Sequence, residues 1–457
     1  MIIEIKNLGF VKNVKVNLNK DLIVLCGSNN TGKTYVAYAI YGLMKHRSLD
    51  SKISSISNVI KTLPEKGEVE INLLKLLKDK GTDHFGRVAK SYVKELSNVF
   101  ASPDGTFNKT QIELQKGDDN KLKDNILESQ VEGQIGFANQ ISAKLTKLKG
   151  SPILKCILIN NQKNGEKIED APFSMFLDFL TEQAQEIYLG FFFHNPYIAT
   201  AERVAINLFS KELSIKRNML VDRLLELKDE GKNKDPLDLI RRRATRYPLP
   251  IRDSLEIAED LNNFKKQTSK FSAFADEIEL DILKGKVVIS KEGEVQFKPD
   301  ANKKVTLPIH LSASIVKSLS NLVIYFRHLA KENDLIILDK PEMNLHPDNQ
   351  VIVARIIGKM VNKGFKVIVN THSDYIIKEL NNLIMLSSKP KYLEELNYSN
   401  NEILKPEQVD AILFRYDNKR KGETLKVTES GFEVDTIDKV INQLNSRSQS
   451  IYFDTLS

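Results

Sequence analysis

Gly27-Ser28-Asn29-Asn30-Thr31-Gly32-Lys33-Thr34 carries two glycines, a lysine and a threonine at the spacing Gly-x-x-x-x-Gly-Lys-Thr. That spacing is the pattern of a phosphate-binding loop. Two glycines let the backbone curl so that successive N–H groups point inward at an anion, and a helix starting near Lys33 adds the positive end of its dipole. In such a loop the lysine reaches the β- and γ-phosphates and the threonine hydroxyl sits on Mg²⁺. The expected cradle is therefore Gly27, Asn29, Asn30, Thr31, Gly32, Lys33, Thr34 and Tyr35. A glycine-rich turn without chemistry is disfavoured, because the apolar run from Leu22 hands over through this loop to the helical stretch Tyr35–Met44.

A loop of this kind needs a carboxylate at the end of a neighbouring buried strand to complete the metal shell. Leu335-Ile336-Ile337-Leu338-Asp339 has that form, four apolar residues ending in an acid between two helical stretches. It is the Walker B arrangement. Aspartate is rarely buried without a partner, so Asp339 reads as a metal or phosphate-site residue alongside Thr34.

Short strands are expected over Ile2–Ile5, Val14–Leu18 and Leu22–Leu25, which bring the loop to a sheet edge. From about residue 46 to 190 the chain turns Lys-, Glu-, Asn- and Leu-rich, with strands at Gln111–Gln115 and Ile153–Ile159 and a polar loop at Asp118–Lys123. Pro196–Ala199 resumes a strand before Thr200-Ala201-Glu202-Arg203. Amphipathic helices are expected over Asn207–Leu227, Leu237–Arg246 and Ile251–Lys265. A meander follows in Glu277–Leu283, Lys286–Ser290 and Glu294–Lys298. The last third alternates strand and helix: Leu335–Asp339, Pro347–Asn362, Lys366–Asn370, then Thr371-His372-Ser373-Asp374 at the next helix. Beyond about Glu402 lies a small tail with strands Ala411–Tyr416 and Thr424–Thr428 and a helix Thr436–Leu444.

At 457 residues the chain is long enough for two or three lobes. Its 41% hydrophobic content fits a globular protein, and no apolar window approaches the roughly 20 residues that span a bilayer. Met1-Ile2-Ile3-Glu4-Ile5 reads as a strand and not a secretory leader, so the expected location is cytoplasmic. Cys26 and Cys156 are too few for a disulfide framework or a zinc site. A net charge of +7 permits acidic partners without demanding them. The densest basic run, Arg241-Arg242-Arg243, fits a nucleic-acid contact or, flanked by Asp235, Asp238 and Asp253, a solvated helix face.

Asp339-Lys340-Pro341-Glu342-Met343-Asn344-Leu345-His346-Pro347 resembles the Asp-Glu-Pro-Glu-x-x-Leu-His-Pro run of ABC-type AAA-15/AAA-21 ATPases related to OLD-family and RecF-like proteins. Three other stretches agree with it. Ile5-Lys6-Asn7-Leu8-Gly9 looks like the family's opening strand and loop bordering the nucleotide base, Leu311-Ser312-Ala313-Ser314 like its signature loop, and Thr371-His372-Ser373-Asp374 like its switch-histidine segment. The resemblance implies an α/β fold: a P-loop ATPase head with a mixed or parallel sheet flanked by helices, an antiparallel strand layer and an inserted, largely helical arm. The corresponding division is residues 1–45 and 276–395 for the head, 46–195 for an insertion, 196–275 for the arm and 396–457 for the tail. It also implies ATP and Mg²⁺ as ligands and a head-to-tail dimer in which Ser312 and Ser314 of one subunit meet the γ-phosphate held by the other. Taken alone, Leu-Ser-Ala-Ser reads as an ordinary helix-capping serine. His372 would contact the same phosphate.

One position departs from the family. Where the family has a glutamate that activates water, this chain has Lys340. An ammonium cannot accept a proton at neutral pH without a large pKa drop. The expectation is a chain that binds ATP·Mg²⁺ and dimerises around it but turns it over slowly or hardly at all, with Glu342 a candidate substitute base although in the family that glutamate accompanies the catalytic one and does not replace it. Family analogy then points to a nucleotide-dependent switch or scaffold for a separate effector such as a nuclease, in bacterial anti-phage defence. The alternative is a DNA-repair or DNA-maintenance ATPase that clamps DNA on its arm.

Overall fold

The computed structural model describes residues 1–46, 53–78, 84–115, 119–137, 141–160, 170–210, 247–302, 304–417 and 420–456. The basic run Arg241–Arg243 and most of the two expected helices around it lie outside the described residues. The chain divides into two compact units. One comprises Met1–Ile3, His46–Tyr92 and Ile112–Asn195; the other comprises Glu4–Lys45, Val93–Gln111 and Pro196–Ser457.

The larger unit is built on a six-stranded sheet whose order is Gly422–Leu425, Val409–Phe414, Leu22–Gly27, Lys366–Asn370, Leu335–Asp339, Pro196–Ala199. Every pairing is parallel except that of the edge strand Gly422–Leu425. Parallel neighbours need long crossovers, which is why strands distant in sequence lie side by side. Leu22–Gly27, Leu335–Asp339 and Val409–Phe414 are buried along their whole length, as the continuous apolar runs require of strands covered on both faces. On one face Leu22, Val24, Ile336, Leu338, Val367, Val369, Ala411 and Leu413 join a core with the helices Ser314–Ile324, Pro347–Asn362 and Asp374–Met385. Alternate residues point the other way. There the helix Lys33–Lys45 lies against three of the strands.

Residues from Val409 onward, read from sequence as a tail, therefore supply two strands of the central sheet. A second difference is Glu277–Leu283, expected as a strand. Ile278–Leu283 is helical, and its polarity explains the misreading: Glu279 is buried whereas Leu280 is 66% exposed. The Glu279 carboxylate accepts from the Val287 N–H at 2.7 Å and pairs with Arg327 at 2.8 Å. The rest of the meander forms as Gly285–Ile289 antiparallel to Val295–Pro299, joined at the left-handed Gly293.

The smaller unit holds an antiparallel sheet ordered Glu68–Asn72, Ile153–Asn160, Ile141–Lys147, Val131–Phe137. Within it the helix Asp170–Leu189 packs on Ser54–Ile60. Asp119–Glu128, expected to open on a polar loop, is a helix whose Leu122 and Ile126 are buried four residues apart. Cys26 and Cys156 are both buried free thiols. Among the described residues no helix is long and apolar enough to cross a membrane.

Candidate functional site

The carboxyl ends of the central strands meet at one edge of the sheet, where open α/β sheets hold ligands. Leu22–Gly27 delivers the loop, Leu335–Asp339 delivers the acid, and Lys366–Asn370 runs between them with Asn370 opposite Asp339. Gly27 has φ +114°, and a Cβ there would lie 2.1 Å from the Phe414 carbonyl oxygen. Gly32 has φ +95°, and its Cβ would lie 2.3 Å from Val11. Both glycines are thus dictated by close approach as well as by curl.

Inside the loop the Lys33 ammonium donates to the carbonyls of Gly27 at 3.0 Å and Ser28 at 2.6 Å. Burial, together with the charge of Lys340, pulls its pKa down to about 8, although nearby carboxylates oppose the shift. Thr31 donates to the Ser28 carbonyl at 2.8 Å and closes the turn. Tyr35 stacks on Phe100 with ring centroids 5.0 Å apart.

Thr34 Oγ1 donates to Asp339 at 3.3 Å, and the Asn370 amide donates to both. Asp339 is fully buried; burial first and the charge of Glu202 second push its carboxyl up to about 6, against the hydrogen bond from Asn370, the charge of Lys340 and the Thr34 contact. The other Asn370 atom, Oδ1, is buried with no hydrogen-bond partner. The Thr34 hydroxyl and the buried Asp339 carboxylate, in contact with each other, are hard-oxygen donors that fit Mg²⁺ or the water it carries. Magnesium keeps several waters, so it needs no larger protein cage. Among the described residues there is no group of three or more His, Cys, Asp and Glu side chains suited to a metal.

His372 Nδ1 lies 2.8 Å from the Gly27 carbonyl oxygen. A carbonyl only accepts, so Nδ1 carries the proton and Nε2 is the acceptor of the neutral ring. Burial, then the charges of Lys33 and Lys340, lower the imidazole to about 4 against the Gly27 hydrogen bond, so the ring is neutral at pH 7. Glu342 fixes this segment: one oxygen accepts from the His372 backbone N–H at 2.8 Å and the other from Thr371 Oγ1 at 3.0 Å.

Lys340 has a left-handed backbone, φ +52°, which costs about 1–2 kcal/mol for a residue with a Cβ. Its N–H donates to the Asn370 carbonyl and its own carbonyl accepts from Arg203. Arg203 is the clamp beneath the site. Its buried guanidinium donates to the carbonyls of Thr200, Ser318, Asp339 and Lys340 and to the Ser318 hydroxyl, so it holds the Walker B strand end by the backbone.

Asn29, Asn30, Thr31, Gly32, Lys33, Thr34, Tyr35, Lys340, Asn370 and His372 line one cleft of about 970 Å³. Ser312 and Ser314 are not among its lining residues. Ser312 is buried and donates to the Pro308 carbonyl, while Ser314 is exposed at the start of its helix; Ala313 is the N-cap, so neither serine caps. The sequence reading missed Asn370, whose only signal is a polar residue ending an apolar strand in register with Asp339, and it gave no role to Phe10, Tyr416 or Arg420, which also line the cleft.

No curated protein matches the chain. Among solved structures it is similar to one described as the Smc head bound to the C-winged helix domain of ScpA, at 13% identity, covering 93% of this chain and 98% of that one with a TM-score of 0.34. It is also similar to an Smc head domain with an extended coiled coil, bound to the C-terminal domain of ScpA, from Pyrococcus furiosus: 14% identity, 97% and 98% coverage, TM-score 0.32. The model of the family described as AAA ATPase domain, AAA_15, matches residues 1–377, and the chain belongs to that family.

Proposed function

We propose that the chain binds ATP with Mg²⁺ in this cleft and acts as a nucleotide-dependent switch or scaffold for a separate effector protein, with hydrolysis slowed by Lys340. The carrying observation is the pair of positions after the Walker B acid. Lys340 faces the cleft with an ammonium, and both oxygens of Glu342 are engaged by the Thr371–His372 turn. Glu342 is then a positioning residue for His372 and not a replacement base.

In this reading Gly27, Asn29, Asn30, Thr31 and Gly32 wrap the phosphates with backbone N–H groups, Lys33 leaves the loop carbonyls for the phosphate oxygens, and Thr34 and Asp339 hold the metal. The metal, when bound, supplies charge neutralisation of the phosphates. Lys340 adds a second cation that favours holding the triphosphate over activating water. Ser314, exposed at the start of its helix with the buried Ser312 behind it, suits contact with nucleotide held by another subunit in a head-to-tail dimer. A role in bacterial anti-phage defence rests on family analogy alone.

Phosphate release measured for the unmodified chain and for Lys340→Glu tests this reading. Slow release that rises at least tenfold in the variant supports it. Equal rates refute it.

A further inference from the structure

The cleft continues past the phosphate loop, and its outer wall comes from both ends of the chain. Val409–Phe414 runs parallel to Leu22–Gly27 with Phe414 opposite Gly27. The two segments therefore leave the sheet side by side, pinned where the Ser28 N–H donates to the Phe414 carbonyl at 3.1 Å. Tyr416 follows two residues later and is 81% exposed. Phe10, between the first two strands, is 57% exposed. Arg420 joins the two segments: its carbonyl accepts from the Lys12 N–H at 2.9 Å, its own N–H donates to the Asp417 carboxylate at 2.8 Å, and its guanidinium lies 5.7 Å from the Phe10 ring centroid. All three line the cleft that contains Lys33 and Thr34.

Two aromatic rings left more than half exposed forgo much of the gain of burial. Beside a guanidinium, at the open end of a phosphate site, they form a stacking platform for a planar heterocycle. The loop Gly27–Thr34 engages a triphosphate through groups common to every nucleotide, so it leaves the base to be read elsewhere. We infer that Tyr416, with Phe10 and Arg420, forms the subsite for the purine ring of the bound nucleotide, which makes the C-terminal hairpin part of the nucleotide site. This inference rests on the ATP-binding reading above.

The experiment is equilibrium titration of the full chain with Mg·ATP and with inorganic tripolyphosphate plus Mg²⁺. Tyr416→Ala is expected to weaken ATP about tenfold and to leave tripolyphosphate unchanged, and Tyr416→Phe to retain ATP affinity. The chain contains no tryptophan, so Tyr416→Trp introduces a single indole. Its fluorescence is expected to respond to ATP and not to tripolyphosphate. Unchanged ATP affinity in Tyr416→Ala, an equal loss for both ligands, or an indole indifferent to ATP overturns the assignment. An unmodified chain that binds tripolyphosphate as tightly as ATP overturns the base subsite alone, whereas one that binds neither ligand overturns the ATP reading beneath it.

Discussion

The Thr34 hydroxyl donates to the Asp339 carboxylate at 3.3 Å across 305 residues of sequence. The parallel register brings them together, and Asn370 from the strand between them donates to both. A buried acid held by a hydroxyl and an amide, both neutral, is an incomplete arrangement that a cation would complete.

Asp339→Asn therefore separates stability from function. The folded pKa of about 6 lies above the ordinary 3.8, so the native state holds the proton over a range where the unfolded state releases it. The stabilisation this provides is lost as pH rises from about 4 to about 6, and at pH 7 the ionised acid is a net cost. In the absence of nucleotide the asparagine variant is expected to be more stable at pH 7 by about 1–3 kcal/mol. The gain should vanish near pH 4, and Mg²⁺-dependent nucleotide binding should be lost. Denaturant unfolding at the two pH values, with a magnesium titration, checks this.

His372 has the complementary signature. Its folded pKa near 4 lies below the ordinary 6.5, so the unfolded state binds more protons between those values and stability falls as pH drops through that window. His372→Gln should remove this acid sensitivity. Melting temperatures of the two chains at pH 7.5 and pH 5 should converge or cross on acidification, and a constant offset would contradict the assignment.

Much of this site was legible from residue types. Apolar runs ending in Gly27 and in Asp339 announced both halves because a strand buried on two faces tolerates polarity only at its end. Contacts that depend on tertiary register were not legible. Nothing near Gly27 in sequence indicates that the Phe414 carbonyl fills the space a Cβ would need, and nothing marks Asn370 as the bridge between Thr34 and Asp339. Ile278–Leu283 misled for a related reason: its alternation holds for Ile278 and Ile282, which are buried, but the helical turn exposes Leu280 and the pairing with Arg327 draws Glu279 inside. Arg203 follows the strand Pro196–Ala199 and Asp339 ends the strand paired with it, so only the parallel register shows that the guanidinium grips backbone there.

That grip gives a stability prediction. Arg203→Ala would strip hydrogen bonds from the carbonyls of Thr200, Ser318, Asp339 and Lys340 in a buried setting. Unsatisfied buried acceptors cost about 1–3 kcal/mol each before relaxation, so a net loss of about 3–5 kcal/mol is expected. Arg203→Lys should recover only part of it, because an ammonium lacks the planar fork. Urea unfolding midpoints of the three chains measure the effect.

The most direct test of the account is calorimetric titration of ATP into the full chain, with and without Mg²⁺, alongside Lys33→Ala. One ATP per chain, binding that strengthens with Mg²⁺, and at least a tenfold weaker affinity in the variant are expected. A folded, unmodified chain with no affinity for Mg·ATP, or one that binds equally well without the Lys33 ammonium, would contradict it.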